Sequence, residues 1–286
     1  MKSVFVFVPA FGQTLTATTW MTTHALQAHF MHKGIGCGFS TLSFPDIAEL
    51  RAMALTIWYD TMPQIDYLLF IDADMGFPPE MVTDMMLHDE PIVGAIYRHR
   101  REPVTWVGSG GGGPTTERRG NFIKVEGVGG GAKLIRRDVV TAMVEKFPEL
   151  VDARLSLHPA KDTLQAAGAT RLLRLFEKLD IPERGIVSED LSFCIRAAQC
   201  GFQTWAAIGY HVNHVGMYDY GGCYLKTLQD EMARQVTQQQ QSVVQQPAIA
   251  LPVSMGGTTT AQTLTVVEAP EREPAEPDER TMVAAE

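Results

Sequence analysis

Short apolar runs alternate along the chain with segments whose apolar residues recur at helical spacing. Val4 to Val8 reads as a first strand, closed by the loop Pro9-Ala10-Phe11-Gly12. A helix is predicted from about Thr16 to His32, punctuated by Trp20, His24, Leu26 and Phe30. Gly34 to Gly38 turns the chain into a short strand near Phe39 to Leu42. Pro45 then opens a helix reaching about Tyr59, because its fixed φ and missing donor suit a first helical turn. Tyr67-Leu68-Leu69-Phe70-Ile71 is apolar without interruption, as in a strand buried on both faces of a parallel sheet. Phe77-Pro78-Pro79-Glu80 starts a helix with Met81, Val82, Met85 and Met86 on its inner face. Pro91 to Tyr97 is the next strand, Gly108 to Pro114 a flexible break, and Phe122 to Glu126 part of a hairpin. Val139 to Phe147, Leu172 to Leu179 and Ser188 to Gln199 read as helices, and Phe202 to Ala207 as a late strand. This order predicts an α/β fold with a mainly parallel central sheet flanked by helices.

The character changes beyond about Leu225. Gln238 to Gln241 is a glutamine run, and residues 242–286 are rich in Pro, Thr, Ala and Glu with few aromatics. Such a segment buries too little apolar surface to offset its ordering entropy. The expected organisation is one folded domain over 1–225, a helical extension over 226–241 and a disordered tail over 242–286. Composition fits this picture: 45% of the 286 residues are apolar and 20% charged. The net charge of −9 is concentrated at the end, where Glu268 to Glu286 carry seven acids against two arginines. The remainder holds local basic clusters, at Arg98 to Arg101, Arg118-Arg119 and Lys133 to Arg137, which are either solvated surface or contacts for an anionic substrate. Cys37, Cys194, Cys200 and Cys223 make no metal-ligand spacing and read as thiols of a reducing compartment. No run approaches a membrane span or a signal peptide, so a cytoplasmic protein is expected.

Three groups of residues carry candidate chemistry. Asp72 and Asp74 follow the buried strand at Ile71, where ligands of open α/β sheets bind. Two acids there suit magnesium or manganese, which take few protein carboxylates and fill their other positions with phosphate and water. Either acid can equally cap the following turn. Glu189 and Asp190 sit where a helix begins, a place that also favours acids through the helix dipole. His211 and His214 follow the late strand, and imidazole joins carboxylates around manganese-type ions.

Together these residues resemble a GT-A fold (family 2-like) nucleotide-sugar glycosyltransferase over about residues 3–217. The string YLLFIDADMGFPPEMV is similar to the family's strand, DxD, turn and proline-led helix, and GVGGGAKLIRRDV is similar to its glycine-rich acceptor-side segment. The resemblance implies a single GT-A (Rossmann-like) domain that moves a sugar from a nucleotide donor, most often a UDP-sugar, to an acceptor hydroxyl with Mn2+ or Mg2+. It implies Asp74 as direct metal ligand, Asp72 at the ribose or a metal-bound water, and His214 (with His211 as competitor) completing the metal shell. Pro9 and Ala10 would border the nucleotide base, Arg51 in DIAELRAMA would lie near the nucleotide, and Gly129 and Gly130 would belong to a substrate-adjacent loop. In inverting members the acid of the ED pair is the base, Asp190 before Glu189; in retaining members that acid orients the acceptor.

Two other functions are consistent with such a sheet: a sugar-phosphate nucleotidyltransferase, and a catalytically silent nucleotide-sugar-binding protein. The first lacks a glycine-rich, basic N-terminal loop, and the second leaves the acids unexplained. No GxSxG, HExxH, P-loop or GxGxxG is present. A carbohydrate or small-molecule acceptor is favoured over nucleic acid, because the folded part is not strongly basic.

Overall fold

The computed structural model describes residues 2–101, 103–108, 116–216 and 220–244. The strands are β1 (Ser3–Pro9), β2 (Gly36–Leu42), β3 (Tyr67–Ile71), β4 (Met75–Gly76), β5 (Ile92–Ala95), β6 (Tyr97–Arg98), β7 (Trp106–Val107), β8 (Arg118–Arg119), β9 (Phe122–Val125) and β10 (Ala132–Arg136). They continue with β11 (Val151–Asp152), β12 (Leu172–Leu173), β13 (Asp180–Ile181), β14 (Gly185–Ile186), β15 (Thr204–Ala207), β16 (His211–His214) and β17 (Gly222–Cys223). The helices are α1 (Ala17–Lys33), α2 (Ile47–Thr61), α3 (Glu80–His88), α4 (Arg137–Lys146), α5 (Lys161–Ala166), α6 (Glu189–Gln199) and α7 (Tyr224–Val244). Residues 1–240 form one compact unit. The tail expected over 242–286 lies, beyond the end of α7, outside the described residues.

The central sheet has the order β2-β1-β3-β10-β5-β15-β9-β8. β1, β2, β3, β5 and β15 share one direction, while β10, between β3 and β5, and β9 run against it. The expected α/β architecture with a mainly parallel sheet is therefore present, with one antiparallel strand at its centre. Strand alternation sends Phe5, Phe7, Leu68 and Phe70 to one face, against α2, α4 and α6. Val4, Val6, Leu69 and Ile71 go to the other, against α1 and α3. Both faces being covered, the strands read as continuous apolar runs. No helix among the described residues is long and apolar enough to cross a membrane.

One expected helix is absent. Leu172 to Leu179 instead forms β12, paired with β11, followed by turns. Leu172, Leu173, Leu175 and Phe176 are buried while Glu177 and Lys178 are exposed, a pattern a helix could share, and long-range contacts decide against one. Phe176 stacks on Phe193 at 4.5 Å, and the buried Arg196 guanidinium donates to the carbonyls of Leu175 and Glu177 that no helix satisfies.

Candidate functional site

An open cleft of about 740 Å³ lies beyond the carboxyl ends of β1 and β3. Its wall includes Pro9, Arg51, Asp72, Asp74, Tyr97, Arg100, Glu189, Asp190 and His214. Five separate elements thus deliver the residues singled out above to one place. β3 ends at Ile71, and its last turn presents Asp72 and Asp74. α2 is started by Asp46, whose Oδ1 accepts from the Glu49 N–H at 2.9 Å, and brings Arg51 in from its second turn. α6 is started by Ser188, which accepts from the Leu191 N–H, and carries Glu189 and Asp190 in its first turn.

The floor of the cleft is a buried charge cluster centred on Arg51, whose side chain is only 2% exposed. Its guanidinium reaches Asp72 Oδ1 at 2.8 Å, Glu189 Oε1 at 2.6 Å and Asp190 Oδ1 at 2.8 Å. Burial alone would lower its pKa, but Asp190, Asp72 and Glu189 outweigh burial and raise it. Lys133, with no exposed surface, donates to Asp190 Oδ1 at 3.0 Å and to the Asp190 carbonyl at 3.2 Å. The Gly130 N–H donates to Asp190 Oδ2 at 2.8 Å. Burial pushes the Asp190 carboxyl up, yet Arg51, Lys133 and the Gly130 N–H together hold it below its ordinary value. At Asp72 burial prevails over Arg51, aided by the charge of Asp190, and its pKa is raised. Buried Tyr97 accepts from the Gly131 N–H at 3.1 Å and is pushed up by burial and by Asp72 and Asp190.

The depressed Asp190 pKa has a stability consequence of definite sign. Asp190 contributes stability above its unfolded value, about 3.9, and the contribution is lost as pH falls through its lower folded value. Asp190→Asn is expected to lower Tm by several degrees at pH 7, with the gap closing in acid. Thermal unfolding at a series of pH values measures this; a gap that does not shrink below about pH 4 would contradict an ionised, cation-held Asp190.

The upper wall pairs Asp74 with His214. β16 pairs antiparallel with β4, matching His214 to Met75, and the Val215 N–H donates to the Asp74 carbonyl at 2.7 Å. This register fixes which histidine enters the cleft: with side chains alternating, His214 faces it while His211 and Asn213 line a different groove with Met21 and Phe77. His214 Nδ1 lies 2.8 Å from the Arg98 carbonyl, which can only accept, so the proton sits on Nδ1. Nε2, which carries a lone pair when the ring is neutral, faces Asp74 Oδ2 at 3.6 Å. Asp74 Oδ1 is buried and has no hydrogen-bond partner among the described residues, while Oδ2 accepts from Arg100 at 2.7 Å. A carboxylate with one oxygen unpartnered and the other facing an imidazole nitrogen, the ring's second nitrogen anchored on a carbonyl, suits a divalent cation. Among the described residues no three His, Cys, Asp or Glu side chains form a closed metal cage. Asp74 and His214 would give a cation here two side-chain ligands, as suits a metal sharing its shell with phosphate and water.

Not every expected residue lines the cleft. Gly129 and Gly130, expected in a substrate-adjacent loop, are buried against Tyr97 and Arg51. A Cβ on Gly130 would fall 2.0 Å from Arg51 Nη2, and one on Gly129 2.5 Å from the Tyr97 hydroxyl. The glycines are there because the charge cluster needs the backbone that close. Ala10 is buried, with its N–H on the Leu42 carbonyl, and Pro9 alone of that pair lines the cleft. Asp72, expected at the metal or ribose, commits Oδ1 to Arg51. The Lys133 to Arg137 cluster is engaged within the fold: Lys133 serves Asp190, Arg136 pairs with Asp138, and Arg137 caps the carbonyls that end α2. Lys133, Tyr97 and Arg100 were not singled out as site residues. Lys133 left a readable sign, a lone lysine inside the apolar β10, since a charge so placed needs a buried partner.

No family model matches the chain, and no curated protein matches it. Among solved structures, it is similar to A197 from STIV at 16% identity, covering 76% of this chain and 86% of that one, with a TM-score of 0.41. The catalytic domain of Drosophila beta1,4galactosyltransferase 7 in complex with xylobiose follows at 13% identity, 72% and 65% coverage and a TM-score of 0.37. Mannose-1-phosphate geranyltransferase from Thermus thermophilus is similar at 15% identity, 74% and 76% coverage and a TM-score of 0.36.

Proposed function

We propose that the protein is a metal-dependent glycosyltransferase moving a sugar from a nucleotide-sugar donor, with UDP as first choice, to an acceptor hydroxyl. The observation that carries this reading is the Asp74–His214 pair: a carboxylate whose Oδ1 is unpartnered and whose Oδ2 faces imidazole Nε2, beside the carboxylates of α6 in one cleft. Charge supports it. The cleft is lined by four carboxylates, Asp72, Asp74, Glu189 and Asp190, against the two guanidiniums of Arg51 and Arg100. Such a surface repels a bare diphosphate and attracts a divalent cation. Bound by Asp74 and His214, Mn2+ or Mg2+ would supply Lewis-acid neutralisation of the leaving diphosphate. Arg51 holds Asp72, Glu189 and Asp190 in place and leaves Asp74 to the cation.

The acceptor hydroxyl must lose a proton as it attacks, and the two acids of α6 differ in fitness for that task. Asp190 has both oxygens occupied and a depressed pKa, so it is a weak base. Glu189 gives Oε1 to Arg51, and no donor among the described residues reaches its Oε2. This supports Glu189 as the base and Asp190 as its positioning neighbour, the reverse of the order expected from the sequence. Glu189→Gln is then expected to lower turnover about a hundredfold or more with donor affinity unchanged. Full turnover in Glu189→Gln would return the role to Asp190 or to a retaining mechanism.

Mass spectrometry of products from a panel of nucleotide sugars and simple glycosides, with and without manganese, tests the activity. Sugar transfer or donor hydrolysis that requires the metal is the expected result. Pyrophosphate release from a nucleoside triphosphate and a sugar phosphate would make the protein a nucleotidyltransferase, and binding without turnover a recognition protein.

A further inference from the structure

We propose that Arg100 is a binding residue for the donor's diphosphate, held in reserve on Asp74 until a divalent cation takes its place. The inference rests on the cation site proposed above and adds to it a second, protein-borne positive charge. Arg100 Nη1 donates to Asp74 Oδ2 at 2.7 Å, the same oxygen that faces His214 Nε2. A cation held between His214 Nε2 and the Asp74 oxygen that faces it would sit on Oδ2, where the guanidinium already is, against strong like-charge repulsion. Cation binding therefore displaces Arg100.

The displaced side chain has somewhere to go. Arg100 lines the cleft and is 50% exposed, in contrast to the buried Arg51. Its stem lies over Gly216, where a Cβ would approach Arg100 Cδ to 2.9 Å. Only Nη1 is engaged, with Asp74 and, at 3.5 Å, the Val215 carbonyl; Nε and Nη2 meet no acceptor among the described residues. Among the described residues, the other guanidinium on the cleft wall, Arg51, is already shared by three carboxylates. A diphosphate keeps negative charge after one divalent ion is bound, and a planar fork with unused donors suits its oxygens. Arg100 is the residue on the wall that can supply this. Its release by the metal and capture by the phosphate make metal and nucleotide binding mutually reinforcing.

The test uses the full chain and two ligands, manganese alone and UDP with saturating manganese, each followed by titration calorimetry, with free manganese also counted by electron paramagnetic resonance. In Arg100→Gln, manganese alone is expected to bind about two- to fivefold tighter, since a partly exposed ion pair no longer competes. UDP with manganese is expected to bind about tenfold more weakly. These opposite signs separate the proposal from a general loosening of the cleft, which weakens both. Arg100→Lys, which keeps the charge, is expected to restore manganese affinity to near that of the unmodified chain. Manganese binding in the unmodified chain that Arg100→Gln leaves unchanged or weakens would overturn the inference alone. Absence of manganese binding in the unmodified chain would overturn it together with the cation site beneath it.

Discussion

Asp74→Asn is expected to abolish manganese-dependent binding of UDP and to lower sugar transfer about a thousandfold or more. The amide keeps the shape of the carboxylate but not its charge, and a metal acting on a leaving diphosphate is worth several kcal/mol, each about 1.4 kcal/mol being tenfold. The fold should barely respond. Asp74 contributes a pair with the half-exposed Arg100, and pairs of that kind contribute about 0–1 kcal/mol. The backbone contacts that hold the loop, from the Val215 N–H to the Asp74 carbonyl and between β4 and β16, are untouched. Calorimetry of UDP with and without manganese, beside thermal unfolding, measures both halves. Unchanged UDP affinity in manganese would remove Asp74 from the metal site.

Arg51→Leu should act in the opposite way, through stability first. Leucine fits the apolar company of α2, where Leu50, Ala54 and Leu55 pack beneath the sheet. It leaves Asp72, Glu189 and Asp190 without the guanidinium they share. Removing one partner from a buried charge cluster costs about 3–5 kcal/mol, roughly 10 °C in Tm for a domain of this size. Lys133 still faces Asp190, so the damage should centre on Asp72 and Glu189. The loss should shrink as pH falls and the stranded carboxylates protonate, because the variant's folded state then binds protons more tightly than its unfolded state. A loss below about 1 kcal/mol, at the level of exposed pairs, would show that the three acids do not depend on Arg51.

Much of this site is legible before any coordinates. An unbroken apolar β3 ending in Asp72 and Asp74 says where the strand is and at which end the cleft lies. Ser188-Glu189-Asp190 states its own helix start through the capping serine and the acids behind it. These signals are local: a run, a cap, a spacing. The helix expected over Leu172 to Leu179 failed because its helix-forming residues were claimed on several sides at once, by Phe193, Phe70 and Thr56. No window of neighbouring residues contains that information.

The division between Asp72 and Asp74 belongs to the same class. Neighbours in the chain, they part company because Arg51 takes one and leaves the other beside His214. His214 rather than His211 enters the cleft through the register of β16 on β4, a pairing across more than a hundred residues. Lys133 and the buried glycines acquire their meaning only from Asp190, Arg51 and Tyr97 packed against them. Strand, helix and acid positions follow from short-range rules of burial and capping, so the chain states them openly. Which carboxylate keeps an unpartnered oxygen, which imidazole faces the cleft and which guanidinium stays exposed depend on contacts between distant segments, and those are settled when the sheet and its helices close on one another.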